Sequence, residues 1–270
     1  GRPPLPFRGN KSVNKEQLIN ILSSPLLNDD NIIYVDLFGG SFYISYLIHK
    51  LHPNNRVICN DYDKYIVRLQ NIPKTNAILK QCRKLLSREY KPKERFDTND
   101  EDAIKQYIRQ QLTYGYIDYQ TISSRLCYSG TNITSVNDIL KNKLYNRLSN
   151  EINPNYDDYI EGIEFRSCDW KILYDEFMQL NDSKILFIAD PPYLNTDMSG
   201  YNNNDWKLED ALNVLTIMEN KYYILFTSTK SGITEIINYA SKYTPILRGY
   251  NITYINRGNV NKDNIINYDV

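Results

Sequence analysis

The chain has 270 residues, 41% apolar and 24% charged, with 32 Lys+Arg against 32 Asp+Glu. That size and composition fit one large soluble domain, or a main domain with a smaller insert, and exclude collagen-like and strongly charged disordered classes. A formal net charge of zero, taken by itself, points away from a nucleic-acid partner, because such proteins usually carry a basic excess.

Cys59, Cys82, Cys127 and Cys168 include no CxxC pair, so reduced thiols are expected rather than a disulfide frame or a zinc site. Gly1–Gly9 (GRPPLPFRG) holds no apolar stretch, and no targeting signal is read there. Unbroken apolar runs such as Ile185–Ala189 and Tyr222–Phe226 fall far short of the about 20 residues a membrane helix needs. The 24 tyrosines, like the many Asn, Ile and Lys, read first as a coding bias.

In chain order, Ile32–Leu37 (IIYVDL) predicts a strand that ends in Phe38-Gly39-Gly40-Ser41 and passes into a helix over Phe42–Leu51. His52-Pro53-Asn54-Asn55 breaks that helix, and His49 and His52 read as helix-end residues rather than ligands. Arg56–Cys59 predicts a second strand closing on Asn60-Asp61. Strand, glycine turn, helix and strand make a βαβ unit, which favours a parallel sheet with helices on its faces. Lys74–Arg95 predicts a basic helix, Asp97–Asp102 is an acidic patch, and Tyr114–Asn132 mixes Gly, Ser, Tyr and Arg. Lys184–Ala189 (KILFIA) has the continuous apolar character of a central strand buried on both faces, and Lys221–Ser228 is another. A helical pattern over Trp206–Glu219 lies between them. The polar stretch 76–161 is therefore expected to be a mostly helical insert in an α/β domain formed by 1–75 and 162–270.

Two motifs carry chemistry. Asp36-Leu37-Phe38-Gly39-Gly40 lies at a strand end, where glycines allow a tight turn and close approach of a ligand, and Asp61 ends the next strand, where an acidic side chain can accept from a ribose diol. With GxGxxG absent, this pair fits a nucleotide fold or simply a tight turn and a surface Asp. Asp190-Pro191-Pro192-Tyr193 directly follows the most apolar strand. Neither proline has an N–H to donate, so carbonyls and the Asp carboxylate form an acceptor-only cluster suited to an exocyclic amino group. Tyr193 adds a flat face for a planar base.

Asp190–Tyr193, the Asp36–Gly40 turn, Asp61 and Pro6-Phe7-Arg8-Gly9-Asn10-Lys11 together resemble the Dam-type (D12 class) DNA adenine-N6 methyltransferases, and in the same order along the chain. The resemblance implies a Rossmann-like, class I S-adenosylmethionine-dependent methyltransferase sheet with an inserted target-recognition subdomain. It implies S-adenosylmethionine held by Phe7, Lys11, Asp36, Phe38, Gly39, Gly40, Asp61, Asp169 and Asp190. It also implies methyl transfer to a flipped-out adenine in double-stranded DNA, with Asp190, Pro191, Pro192 and Tyr193 around the base. No metal is expected.

The family's turn usually reads Phe-x-Gly-x-Gly, and here Phe42 stands at the last glycine, where a ring could crowd the cofactor or shift the backbone. Lys64–Arg95 carries ten basic residues against two acidic ones, so the neutral total hides a basic segment. Beside a catalytic cleft, Lys84, Arg88, Lys91 and Arg95 read as phosphate contacts, and Arg125, Tyr128, Ser129 and Asn132 as base-reading candidates. Asn202-Asn203-Asn204 reads as a loop able to close over the base. The implied protein is cytoplasmic, in a bacterium or phage-infected cell, and a monomer or weak dimer. A restriction setting would add a companion endonuclease. A cytosine-N4 or RNA acceptor, and a catalytically silent DNA-binding homologue, are the alternative readings.

Overall fold

The computed structural model describes residues 1–128, 133–148, 150–180, 184–193, 206–218, 222–228, 232–243, 255–260 and 266–269. The chain runs through α1 (Lys15–Leu22), β1 (Ile32–Asp36), α2 (Tyr43–Leu51) and β2 (Arg56–Asn60). Helices α3 (Tyr65–Gln70), α4 (Ile72–Lys84), α5 (Thr98–Gln111), α6 (Tyr119–Leu126), α7 (Val136–Lys141) and α8 (Asp157–Ile160) follow. The chain then forms β3 (Ile163–Arg166), α9 (Trp170–Met178), β4 (Lys184–Ala189), α10 (Leu208–Val214), β5 (Tyr222–Leu225) and α11 (Ile233–Ala240). Strands β6 (Ile255–Val260) and β7 (Ile266–Asp269) pair as an antiparallel ribbon.

Strands β1 to β5 form one parallel sheet in the order β3-β2-β1-β4-β5. The chain moves outward from β1 to β3, then crosses back to place β4 on the other side of β1. The strand order thus reverses between β1 and β4, and open α/β sheets bind ligands in the crevice beyond the carboxyl ends of such a pair.

Both faces of the sheet are covered, which is why its strands read as unbroken apolar runs. Val35, Leu37, Ile58, Ile185 and Phe187 pack with Leu173 and Phe177 of α9, Val214 of α10 and Ile237 of α11 in one buried cluster. Side chains of opposite parity point the other way, and there Asp36 meets Ser45 of α2.

The structure divides into two compact units: Gly1–Arg2, Gly9–Asp63 and Tyr159–Val270 form a sheet unit, and Pro3–Arg8 with Lys64–Asp158 forms a helical unit. The expected insert began at 76, whereas the helical unit starts at Lys64, because α3 supplies Tyr65 and Arg68 to bonds with Leu5, Pro6 and Asp118. Its core is built from Ile78 and Cys82 of α4, Ile104 and Ile108 of α5, Ile122 and Leu126 of α6, and Ile139 of α7.

The helix expected over 74–95 is shorter at its end: α4 stops at Lys84. Beyond it the backbone is held by distant partners instead. The Ser87 N–H donates to both Asp100 oxygens at 3.1 and 3.0 Å, and the Tyr90 hydroxyl donates to Asp100 at 2.7 Å. The acidic patch at 97–102 is the start of α5, where carboxylates suit the helix dipole.

Candidate active site

The Asp36–Gly40 turn and Asp190–Tyr193 leave the carboxyl ends of β1 and β4, the two strands at which the sheet order reverses. Their register is direct, with Asp36 opposite Ile188, two residues before Asp190. Residues two apart on a strand share a face, so this pairing brings the two acidic ends to the same edge.

Asp190 is paired with Lys11, whose ammonium donates to its two oxygens at 2.7 and 2.5 Å and to the Gly9 carbonyl at 3.2 Å. Both side chains are largely buried, at 4% and 16% exposure, so the pair is shielded from water. The Tyr193 hydroxyl donates to the same carboxylate at 3.0 Å. The Lys11 ammonium also lies 5.2 Å from the centre of the Tyr193 ring and 5.6 Å from that of Phe226, within range of cation–π attraction. A carboxylate offers about four lone-pair directions, so Asp190 keeps acceptor capacity beyond these donors. Pro191, Pro192 and Tyr193 line a mostly apolar pocket with Leu225, Phe226, Thr227 and Val214.

Asp36 is 1% exposed, accepts from Ser45 Oγ at 2.7 Å and from the Phe38 N–H at 3.3 Å. Burial pushes its carboxyl up to about 7, the Asp190 charge adds to the rise, and Ser45, Phe38 and Lys11 oppose it. Cys59 Sγ lies behind the turn, fully buried, its thiol pushed up by burial. The four cysteines are free thiols; Cys59, Cys82 and Cys127 are buried and Cys168 half-buried.

The turn is tight. A Cβ on Gly39 would come within 2.4 Å of Cys59 Sγ and 2.8 Å of the Asn60 carbonyl, and Gly40 has φ 52°. Phe42 takes the left-handed conformation itself, with φ 63° and ψ 11°. Its ring is wholly buried and tilts on Phe165 of β3 at 4.7 Å. The left-handed backbone costs about 1–2 kcal/mol for a residue with a Cβ, and burying the ring returns about as much or more. Phe38, in the turn, meets both tryptophans, Trp170 at 5.7 Å and Trp206 at 5.9 Å.

Asp61 lies just past β2, 6% exposed. Asp169 caps α9, accepting from the Lys171 N–H at 2.8 Å. Phe7 falls in the helical unit, edge-on to Tyr65 at 5.8 Å. His52 bonds the Leu22 carbonyl through Nε2 at 2.8 Å and stacks on Tyr34, and His49 sits under Gly162; both are packing roles.

Two residues that the motifs did not flag hold this edge. Asn60 donates to the carbonyls of Leu37 at 3.1 Å and Cys168 at 3.0 Å, and accepts from the Cys168 N–H at 3.2 Å. It therefore ties the loops after β1 and β3 to β2. Ser45 fixes Asp36. An Asn ending a buried strand and a Ser inside an apolar helix are the signals that could have marked them.

In the helical unit, Lys84, Lys91 and Arg95 are exposed, while Arg88 is committed to Glu94 and Asp97, both at 3.0 Å, and stacks on Tyr90 at 3.8 Å. The segment 144–147 joins the two groups of DNA candidates. Leu144 accepts from Phe96 at 3.1 Å, and the Tyr145 N–H donates to Leu126 at 2.7 Å. Isolated bridges pair Arg95 with Tyr145 and Cys127 with Leu144. The exposed Tyr128 ring tilts on Tyr145 at 5.5 Å, and Arg147 donates to the Cys127 carbonyl at 3.2 Å. Burial, with Arg147 as a like charge nearby, pushes the Arg125 guanidinium down. Ser129, Asn132 and Asn202–Asn204 lie outside the described residues.

A sequence profile of the D12 class of N6 adenine-specific DNA methyltransferases matches residues 8–256, nearly the whole chain. The chain belongs to that family. It is also 29% identical over 238 residues to a Haemophilus influenzae protein named "Putative methyltransferase", covering 87% of this chain and 79% of that protein. The central parallel sheet with flanking helices is the α/β arrangement expected of a methyltransferase. Among the described residues no group of three or more His, Cys, Asp or Glu could hold a metal ion, and no helix is long and apolar enough to cross a membrane.

Proposed function

We propose that the chain is a site-specific DNA adenine-N6 methyltransferase that uses S-adenosylmethionine and acts on an adenine extruded from double-stranded DNA. Family membership supports methyl transfer on DNA adenine. The observation that carries the finer reading is the meeting of Asp190-Pro191-Pro192-Tyr193 with the Asp36–Gly40 turn at the reversal between β1 and β4.

The residues beyond the strand ends fit the cofactor chemically. Asp61 and Asp169 are acceptors suited to hydroxyl and amino donors, and Lys11 brings a cation to an edge otherwise rich in carboxylates. Phe38, walled by Trp170 and Trp206, offers an aromatic surface. Phe42 need not crowd this side, since its ring is spent on Phe165. S-adenosylmethionine would supply an electrophilic methyl on a sulfonium.

The adenine amino lone pair is delocalised into the ring and is a poor nucleophile. An N6–H donated to Asp190, and the other to the Pro191 carbonyl, would favour a pyramidal nitrogen with its lone pair aimed outward. Tyr193 would stack on the base, whose extrusion costs a few kcal/mol. After transfer the nitrogen carries one proton too many, and Asp190 is placed to accept it. The cluster of Arg95, Arg125, Tyr128, Tyr145 and Arg147 supplies the charge and aromatic surface that phosphates and bases require. Asp at 190 favours adenine over cytosine N4.

Methylation-sensitive sequencing of DNA from cells expressing the gene tests the reading. N6-methyladenine in one recurring context is expected; N4-methylcytosine, or unmodified DNA with methylated RNA, would replace it with an alternative acceptor.

A further inference from the structure

Strands β1, β2 and β3 stop pairing within a residue of one another at the carboxyl edge of the sheet, yet the loops that leave β1 and β3 stay joined to β2. The joint is the side chain of Asn60, the last residue of β2, which is 1% exposed. Its amide nitrogen donates to the Leu37 carbonyl on one side at 3.1 Å and to the Cys168 carbonyl on the other at 3.0 Å. Its oxygen accepts from the Cys168 N–H at 3.2 Å. A side-chain amide carries the groups of a peptide unit with one N–H more, so Asn60 lays a further rung across all three strands after the backbone ladder ends. The two carbonyls share one nitrogen, so the loops lie no more than two hydrogen-bond lengths apart there. All of these residues belong to the sheet unit.

The two loops differ in what else holds them. The turn after β1 is pinned from other directions. The Leu37 N–H donates to the Ile188 carbonyl at 2.9 Å, the Gly39 N–H to the Asn60 carbonyl at 3.2 Å, and the Tyr159 hydroxyl to the Ser41 carbonyl at 2.9 Å. The loop after β3 leaves an edge strand of four residues. It meets β2 again through Ser167 Oγ, which donates to the Asp61 carbonyl at 3.0 Å, and meets the turn through Trp170 on Phe38. Asp169 follows Cys168 directly and caps α9, so a shift of Cys168 carries Asp169 with it. An apolar side chain at position 60 would leave three backbone groups without their partner, and a carboxylate would face two carbonyl oxygens.

We propose that Asn60 is a positioning residue that sets the distance between the Gly39–Gly40 turn and Asp169, and so fits this edge to one ligand that touches both. The identity of that ligand rests on the methyltransferase reading, under which the turn and Asp169 both meet S-adenosylmethionine. Asn60 acts through the two loops and need not reach the ligand itself.

The test uses the full chain. Asn60→Asp keeps the shape and the acceptor and removes both donors. Asn60→Ser is shorter by one bond and leaves room for a water, which guards against a variant that fails to fold. Amide hydrogen exchange in the ligand-free chain reads the loops directly. Exchange over residues 167–169 is expected to rise about tenfold, while the Leu37 amide, held on Ile188, stays as in the wild type. By calorimetry, affinity for S-adenosylhomocysteine is expected to fall about tenfold, and affinity for duplex DNA to change less than about twofold. Unchanged exchange over 167–169 in both variants would overturn the proposal, and so would an equal rise at Leu37, which marks general loosening. Wild-type affinity for S-adenosylhomocysteine in a variant whose loop has loosened would overturn it too. A wild-type chain that binds no S-adenosylhomocysteine, with the exchange result as expected, would sink the cofactor reading and leave Asn60 as the spacer of the two loops.

Discussion

The two charged regions of this molecule use charge in opposite ways. At the sheet edge a few groups, Lys11, Asp36 and Asp190, are buried together, so each changes the energy of the others. On the helical unit many groups are exposed, and a pair such as Arg88 with Glu94 is screened and close to neutral in effect. Placement outweighs number: ten basic residues in one segment say less about chemistry than one ammonium in contact with a carboxylate.

That contrast can be broken in order of expected effect. Asp190→Ala should lower methyl transfer by about 10³-fold, as loss of a preorganised charged acceptor does, while circular dichroism and DNA affinity stay close to wild type. A variant with normal turnover would remove Asp190 from the mechanism.

Asp36→Asn should change how stability depends on pH. In the unfolded chain this carboxyl ionises near 4, and in the folded one at about 7. Between those values the folded state holds a proton that the unfolded state has lost, so stability falls as pH rises and levels off above about 7. The wild type should lose on the order of 3 kcal/mol to this group between about pH 5 and pH 8, and the Asn variant should not. Urea titrations at both pH values measure the difference; parallel curves for the two proteins would contradict it.

Phe42→Gly sets relief of the left-handed strain against loss of a buried ring, and the cavity should win by about 2 kcal/mol. A variant more stable than wild type would show that the ring contributes little. The smallest effects belong to the arginines of the helical unit, half-buried Arg125 and exposed Arg88. Arg125→Ala should weaken duplex binding by about 1 kcal/mol and lower the salt slope by about one, whereas Arg88→Ala, its charge already matched, should change affinity less than about twofold. Equal losses would erase the distinction between the two arginines.

Much of the sheet was legible because parallel strands buried on both faces are unbroken apolar runs; Lys184–Ala189 coincides with β4 residue for residue. The end of α4 was not, since Ser87 and Tyr90 are captured by Asp100, whose place is set by tertiary packing rather than by any local breaker. The glycine turn was visible as a motif, but the burial of the Phe42 ring on Phe165 depends on a strand over a hundred residues later. Lys11 and Asp190 were each marked singly. Their contact required the fold, and so did the joining of Arg95 and Arg125 through the 144–147 segment.

The most direct measurement of the central claim is transfer of tritium from methyl-labelled S-adenosylmethionine to unmethylated duplex DNA by the wild type and by Asp190→Ala, followed by nucleoside analysis. The account predicts label in N6-methyladenine with the wild type and none above background with the variant. Label in another nucleoside, or DNA retained by the wild type with no label at all, would contradict it.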